Sequence, residues 1–228
     1  MRLFFLLLIL SFHSLNALEY KKIETNSGIN FWFVKDTSIP IISISFSFRG
    51  GMLLDDREKK GISNLMTSLL DEGTRNMTGK EFRNAMKLNG MKLSFSSQKD
   101  RVDGVFQVIS NRKLEGFKLF GEAINHPRFE EDDIQKVKKQ IISSIKIDNS
   151  DVSTLANLKF NKHFFNNHLF SNNIKGSIDS LEKISKEDLV GFHKRSFQRK
   201  NLIIGVAGDV EEKEIKGFID SVFDKLID

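Results

Sequence analysis

The sequence predicts an α+β domain in which strand groups alternate with helix pairs. Three observations predict it. Ile41 to Phe48, IISISFSF, alternates strictly, setting Ile42, Ile44, Phe46 and Phe48 against serines and isoleucine, the pattern of a strand with one buried face. Gly61 to Thr74, GISNLMTSLLDEGT, brings Ile62, Leu65, Met66, Leu69 and Leu70 round at helical spacing, with Gly61 opening the helix and Gly73 closing it. Asn201 to Val210, NLIIGVAGDV, is a buried strand that leads into a helix from Glu211 to about Leu226, with Ile215, Phe218, Ile219, Val222 and Phe223 on one face.

The remaining elements follow in order. Met1 to Ala17, MRLFFLLLILSFHSLNA, reads as a secretory signal peptide: a positive end at Arg2, an apolar run over Leu3–Phe12, and Ala17 as the cleavage point. The run is short of the roughly 20 apolar residues of a span, and an uncleaved N-terminal anchor is the alternative. The expected address is periplasmic or extracellular, with residues 18–228 as one domain. Tyr20–Glu24 and Asn30–Lys35 flank Asn26-Ser27-Gly28 as a hairpin. Met52–Lys60 reads as a polar loop. Thr78 and Glu81 form a capping box that opens a helix to about Asn89, and Gly90 ends it. Strands follow at Lys92–Ser97 and Val102–Ser110, then helices over Arg112–Asn125, Glu131–Ile147 and Val152–Asn166. Ser185 with Asp188 starts a further helix.

Composition excludes several classes. There are 35 basic and 30 acidic residues, a formal +5, but the surplus is scattered and no aromatic–basic run marks a nucleic-acid binder. Cysteine is absent, which removes disulfides, thiol catalysis and thiolate metal sites. His126, His163, His168 and His193 have no shared helical spacing and read as surface or partly packed residues. Asp55, Asp56 and Glu58 with Asp71 and Glu72 offer oxygen ligands for a hard cation, but read more simply as a solvated acidic surface. Two S-x-x-K matches, at Ser110–Lys113 and Ser180–Lys183, lack the accompanying motifs of a serine acyl-enzyme.

The Gly61–Thr74 stretch resembles the zinc helix of the insulinase, pitrilysin and mitochondrial processing peptidase family, worded G-[IL]-A-H-x-[LV]-E-H-x-x-F-K-G-T. Gly61, Ile62, Ser63, Leu65, Met66, Leu69, Leu70, Gly73 and Thr74 carry the match. Three further stretches are similar in the same order: Gly51 ahead of the helix, Gly176–Phe197 (GSIDSLEKISKEDLVGFHKRSF), and Asn201–Val210 against N-x-x-[LV]-x-x-x-G-D-V. Together they span roughly residues 20 to 226. The resemblance implies a mixed, mostly antiparallel sheet with helices packed on one face.

It also implies a zinc site, and the departures fall on it. Asn64 stands at the first histidine ligand, Thr67 at the glutamate base and Ser68 at the second histidine. In Val137–Ile145, VKKQIISSI, Ser144 stands at the third ligand, and Ser143, one register away, is no better. Zinc takes imidazole, thiolate or carboxylate, and threonine cannot take a proton from metal-bound water near neutral pH. No cofactor is therefore expected, though active relatives carry zinc. The resemblance implies a non-catalytic subunit that pairs with an active zinc peptidase subunit or a second peptidase-like domain, as a heterodimer, and that binds peptide. The alternatives are an active zinc metalloendopeptidase with displaced ligands and a truncated structural remnant. Without its second domain, the chain is expected to expose a sizeable apolar patch.

Overall fold

The computed structural model describes residues 19–228. The expected signal peptide lies outside the described residues. Six strands form the main sheet: β1 (Lys21–Glu24), β2 (Asn30–Lys35), β3 (Ile41–Arg49), β6 (Lys92–Ser97), β7 (Arg101–Ile109) and β8 (Leu202–Gly208). Their order is β1-β2-β8-β3-β7-β6. Only the β2–β8 pairing is parallel; the other four are antiparallel. A small hairpin, β4 (Gly73–Thr74) with β5 (Met77–Thr78), stands apart from it. The mixed, mostly antiparallel sheet expected from the resemblance is the one observed.

The alternation in β3 does what its spacing requires: Ile42, Ile44, Phe46 and Phe48 are buried. Among the described residues the eight α-helices are α1 (Ile62–Thr67), α2 (Gly79–Leu88), α3 (Lys113–Asn125), α4 (Glu131–Asp148), α5 (Val152–Phe165), α6 (Ile178–Glu182), α7 (Lys186–Ser196) and α8 (Glu212–Phe223). The core lies between them and one sheet face, while Trp32, Val105 and Ile203 are exposed on the strands. Phe46 sits at the core's centre, with the rings of Phe48, Phe95, Phe120 and Phe223 all between 5.3 and 6.1 Å away. Edge-to-face and tilted arrangements of this kind add to the burial of each ring. The capping boxes read at Thr78–Glu81 and Ser185–Asp188 are both formed.

Two expectations need correction. The helix expected over Gly61–Thr74 runs only over Ile62–Thr67. Beyond it the Leu69 and Glu72 amides reach back three residues, to the Met66 and Leu69 carbonyls, so the coil tightens into turns. Gly73 does not cap a helix; it opens β4, paired with Thr78. The expected polar loop Met52–Lys60 starts inside a single 3-10 turn, Gly51–Leu54, that buries Met52.

α5 differs from the other long helices because none of its residues is buried. Leu155, Leu158 and Phe165 are half-buried on its inner side. There Lys99, from the β6–β7 turn, lies 5.0 Å from the Phe165 ring and donates to the Phe170 carbonyl at 2.9 Å. The outer side carries Val152, Ala156, Phe160 and Phe164, four residues apart and all exposed. Phe160 and Phe164 stack on each other at 5.4 Å in the open.

Candidate functional site

α1 enters at Gly61, whose φ of +90° belongs to the left-handed region that glycine occupies without penalty. A side chain there would also strike the Lys175 carbonyl, because the Gly61 and Gly176 backbones lie against each other. Asp55 caps this entrance from a distance: Oδ2 accepts from the Gly61 amide at 2.7 Å and Oδ1 from the Ser63 amide at 3.1 Å. Burial pushes the Asp55 carboxyl up to about 7, against the pull of these two amides. Nothing in the acidic run Asp55–Glu58 marks this aspartate as an internal cap.

The four positions singled out in the sequence lie on α1, just past its end, and on α4, which packs beside it. Asn64 and Ser68 are half-buried and Thr67 is buried. Both hydroxyls turn back onto one acceptor: Thr67 Oγ1 donates to the Asn64 carbonyl at 3.0 Å and Ser68 Oγ donates to it at 2.8 Å. Ser144 Oγ accepts from Lys175 Nζ at 2.6 Å, and the same ammonium pairs with Asp148 at 2.7 Å. An amide, two hydroxyls committed to the helix backbone and a serine beside an ammonium are not a zinc donor set. Lys175 is the residue that sequence reasoning missed here; it lies outside both helices, and no spacing rule joins it to Ser144.

The other candidates disperse. Asp56 faces Arg195 at 3.4 Å, Glu58 faces Lys183 at 3.2 Å, and Glu72 takes Arg83 and Lys136 at 2.7 and 2.8 Å. Four of the five acids considered for a hard cation, Asp55, Asp56, Glu58 and Glu72, are thus engaged elsewhere, and among the described residues no group of three or more His, Asp or Glu side chains is disposed around one ion. In neither S-x-x-K match is the lysine bonded to its serine, and Ser110 Oγ is buried without a hydrogen-bond partner. Ser180 Oγ donates to the Lys60 carbonyl at 2.7 Å while Lys183 pairs with Glu58, and Lys113 pairs with Glu214. His163 and His168 are exposed. His193 is buried, its ring stacked on Phe197 at 4.7 Å, and burial lowers its pKa to about 4.

An α+β domain with this strand order, and a short glycine-opened helix laid beside a long one, is the architecture of a metallopeptidase-like domain. The family model described as insulinase, peptidase family M16, matches residues 32–186, and the chain belongs to that family. It is 24% identical over 196 residues to the "Non-peptidase homolog YmxG" of Helicobacter pylori, covering 86% of this chain and 45% of the relative. It is also 24% identical over 191 residues to the "Zinc protease PqqE" of the same organism, covering 82% and 42%. Among solved structures, the peptidase M16 inactive domain from Pseudomonas fluorescens superposes with a TM-score of 0.87 at 21% identity, covering 92% of this chain and 51% of that one. The chain spans about half the length of the curated relatives it matches.

Proposed function

We propose that this chain is a non-catalytic, exported peptidase-like subunit. It pairs with a second peptidase-like domain or an active zinc peptidase subunit and helps to hold peptide. The observation that carries the reading is the pair of hydroxyls on α1. At the positions corresponding to a base and a histidine ligand, Thr67 and Ser68 both donate to the Asn64 carbonyl. A hydroxyl that satisfies its own helix neither ligates a metal well nor accepts a proton from water. The names of two relatives, a non-peptidase homologue and an inactive domain, agree with that. The exposed stripe on α5 and the half-length coverage support the pairing.

The test is elemental analysis and peptide hydrolysis of the purified mature chain, alone and with a co-expressed partner bearing H-x-x-E-H. The expected result is no stoichiometric zinc and no cleavage alone, co-purification with the partner, and cleavage only by the pair. Stoichiometric zinc with hydrolysis by the chain alone would instead identify an active metallopeptidase with displaced ligands. N-terminal sequencing of the exported protein tests the signal, with Leu18 expected as the first residue.

A further inference from the structure

α5 and the 3-10 turn that follows it, Leu169–Ser171, lie in an excursion over residues 149–174 between α4 and α6. Neither element buries a residue. The excursion is tied chiefly to itself. The Phe165 and Phe170 rings lie 5.6 Å apart, and the His168 ring, 4.8 Å from that of Phe170, accepts the Phe170 amide through Nδ1 at 3.1 Å. The end of the helix and the turn after it thus form one piece.

Two lysines supply its polar attachments to the rest of the domain. At the neck, Lys175 Nζ lies 2.7 Å from Asp148, the last residue of α4, and 2.6 Å from Ser144 Oγ. Away from the neck, one hydrogen bond among the described residues joins the excursion to the body. Lys99 Nζ donates to the Phe170 carbonyl at 2.9 Å, with the Phe165 and Phe170 ring centres 5.0 and 5.4 Å from the ammonium.

The body side of the neck is fixed by contrast. Gly176, at φ +76°, lies so close to Lys60 that a side chain there would strike its carbonyl, and Ser180 Oγ donates to the same carbonyl at 2.7 Å. On the excursion's side, Asn166 holds φ +45° and ψ −112°, a combination open to glycine but strained for asparagine. Strain of that kind persists only while the surroundings impose it, so loss of the turn's contacts releases it.

We infer that residues 149–174 form a hinged arm, clasped to the domain by Lys175 at its neck and by Lys99 beneath it, which opens when these contacts are released. A segment that buries no residue and hangs on part-exposed polar contacts lies at the low end of local stability. Ser144, which matches the third ligand position, has become one of the neck's anchors. Closed, the arm turns Leu155, Leu158 and Phe165 inward; open, it presents both apolar sides of α5. The clasp therefore sets how much apolar surface the helix offers.

The chain has no cysteine, so introduced pairs can be spin-labelled without background. The test is pulsed electron–electron double resonance on two pairs. Asn157→Cys with Lys213→Cys spans arm and body, and Lys139→Cys with Lys213→Cys lies within the body; all three positions are exposed. The arm pair is expected to show a dominant closed population with a minor open one, and the body pair a single narrow one. Lys175→Met and Lys99→Met should each raise the open population at least threefold, with the body pair and the urea midpoint unchanged. A single arm–body population that neither substitution alters would overturn the inference. So would an opening seen only together with broadening of the body pair, which marks unfolding of the whole domain.

Discussion

Asp55 and His193 are buried groups whose pKa values move past one another, the carboxyl up to about 7 and the imidazole down to about 4. Their contributions to stability therefore have opposite slopes. Asp55 binds its proton more tightly when folded, so its contribution is complete below its ordinary value of 3.8 and is lost as pH rises through about 7. His193 binds its proton less tightly when folded, so its contribution is complete above 6.5 and is lost as pH falls through about 4. Across the shared window the two oppose each other, each with a slope of at most ~1.4 kcal/mol per pH unit. Relative to the parent, Asp55→Asn should become steadily less destabilising as pH rises from 4 to 7. His193→Phe should become less destabilising as pH falls from 6.5 to 4. Urea melts of the three proteins at matched pH values check both, and parallel pH profiles would refute both. Lys175 leads to a second prediction. Asn64→His, Ser68→His and Ser144→Glu together restore ligand types, yet the new carboxylate would meet the ammonium now 2.6 Å from Ser144 Oγ. A unit charge about 4 Å from another is worth ~4 kcal/mol near a protein surface, and more against a divalent ion. Adding Lys175→Met to the triple variant should tighten zinc at least tenfold in a competition titration. The exchange of ligand types was legible in Asn64, Thr67, Ser68 and Ser144 because residue chemistry is local. The cap at Asp55 and the ammonium at Ser144 were not, because both depend on contacts made across the fold.

At the scale of elements, the close approach of β3 and β7 turns on one glycine. Gly104 lies opposite Phe46 in the register, and a Cβ there would run into the Phe46 ring. That ring is the hub of four others, so it cannot tilt away without disturbing Phe95, Phe120 and Phe223. Gly104→Ala should therefore destabilise by about 1–3 kcal/mol, the ordinary range for overpacking a filled core, read as a lower urea midpoint with unchanged m-value. An isolated glycine in a strand pattern signals close backbone or side-chain approach, but not which ring approaches. Elements with their own local signals were read almost to the residue. β3 declared itself by alternation, and α2 and α7 by Thr78–Glu81 and Ser185–Asp188. Periodicity alone extends α1 too far, because Leu69 and Leu70 keep helical spacing after the helix has ended at Thr67. Their burial is met by turns, and what draws the chain away, β4 pairing with β5 and bridging to Pro127, is tertiary. The short helix α6 lacks the acidic capping signal, since its capping box uses Ser177 and Ser180.

At the scale of the molecule, α5 is the element whose sequence the visible fold does not account for. A helix with one wet side concentrates its apolar residues on the other. α5 instead carries Leu155, Leu158 and Phe165 inward and Val152, Ala156, Phe160 and Phe164 outward, with Phe160 60% and Phe164 67% exposed. Lys159, Lys162 and His163 border the outer stripe, and the helix contains no acidic residue. That composition suits a helix lodged between two surfaces, the second apolar with an acidic rim. It fits the peptidase-like partner domain proposed above, whether that domain lies in the same polypeptide or a separate subunit. Replacing both rings, Phe160→Ser with Phe164→Ser, removes nothing from the chain's own core. Thermal stability should then stay within ~0.5 kcal/mol of the parent. Each ring that becomes buried on pairing is worth about 1.5–3 kcal/mol, so association with the H-x-x-E-H partner should weaken by two orders of magnitude or more in sedimentation or co-purification. If the double variant melts several degrees lower yet pairs normally, the stripe belongs to this domain's own packing and the partner surface lies elsewhere.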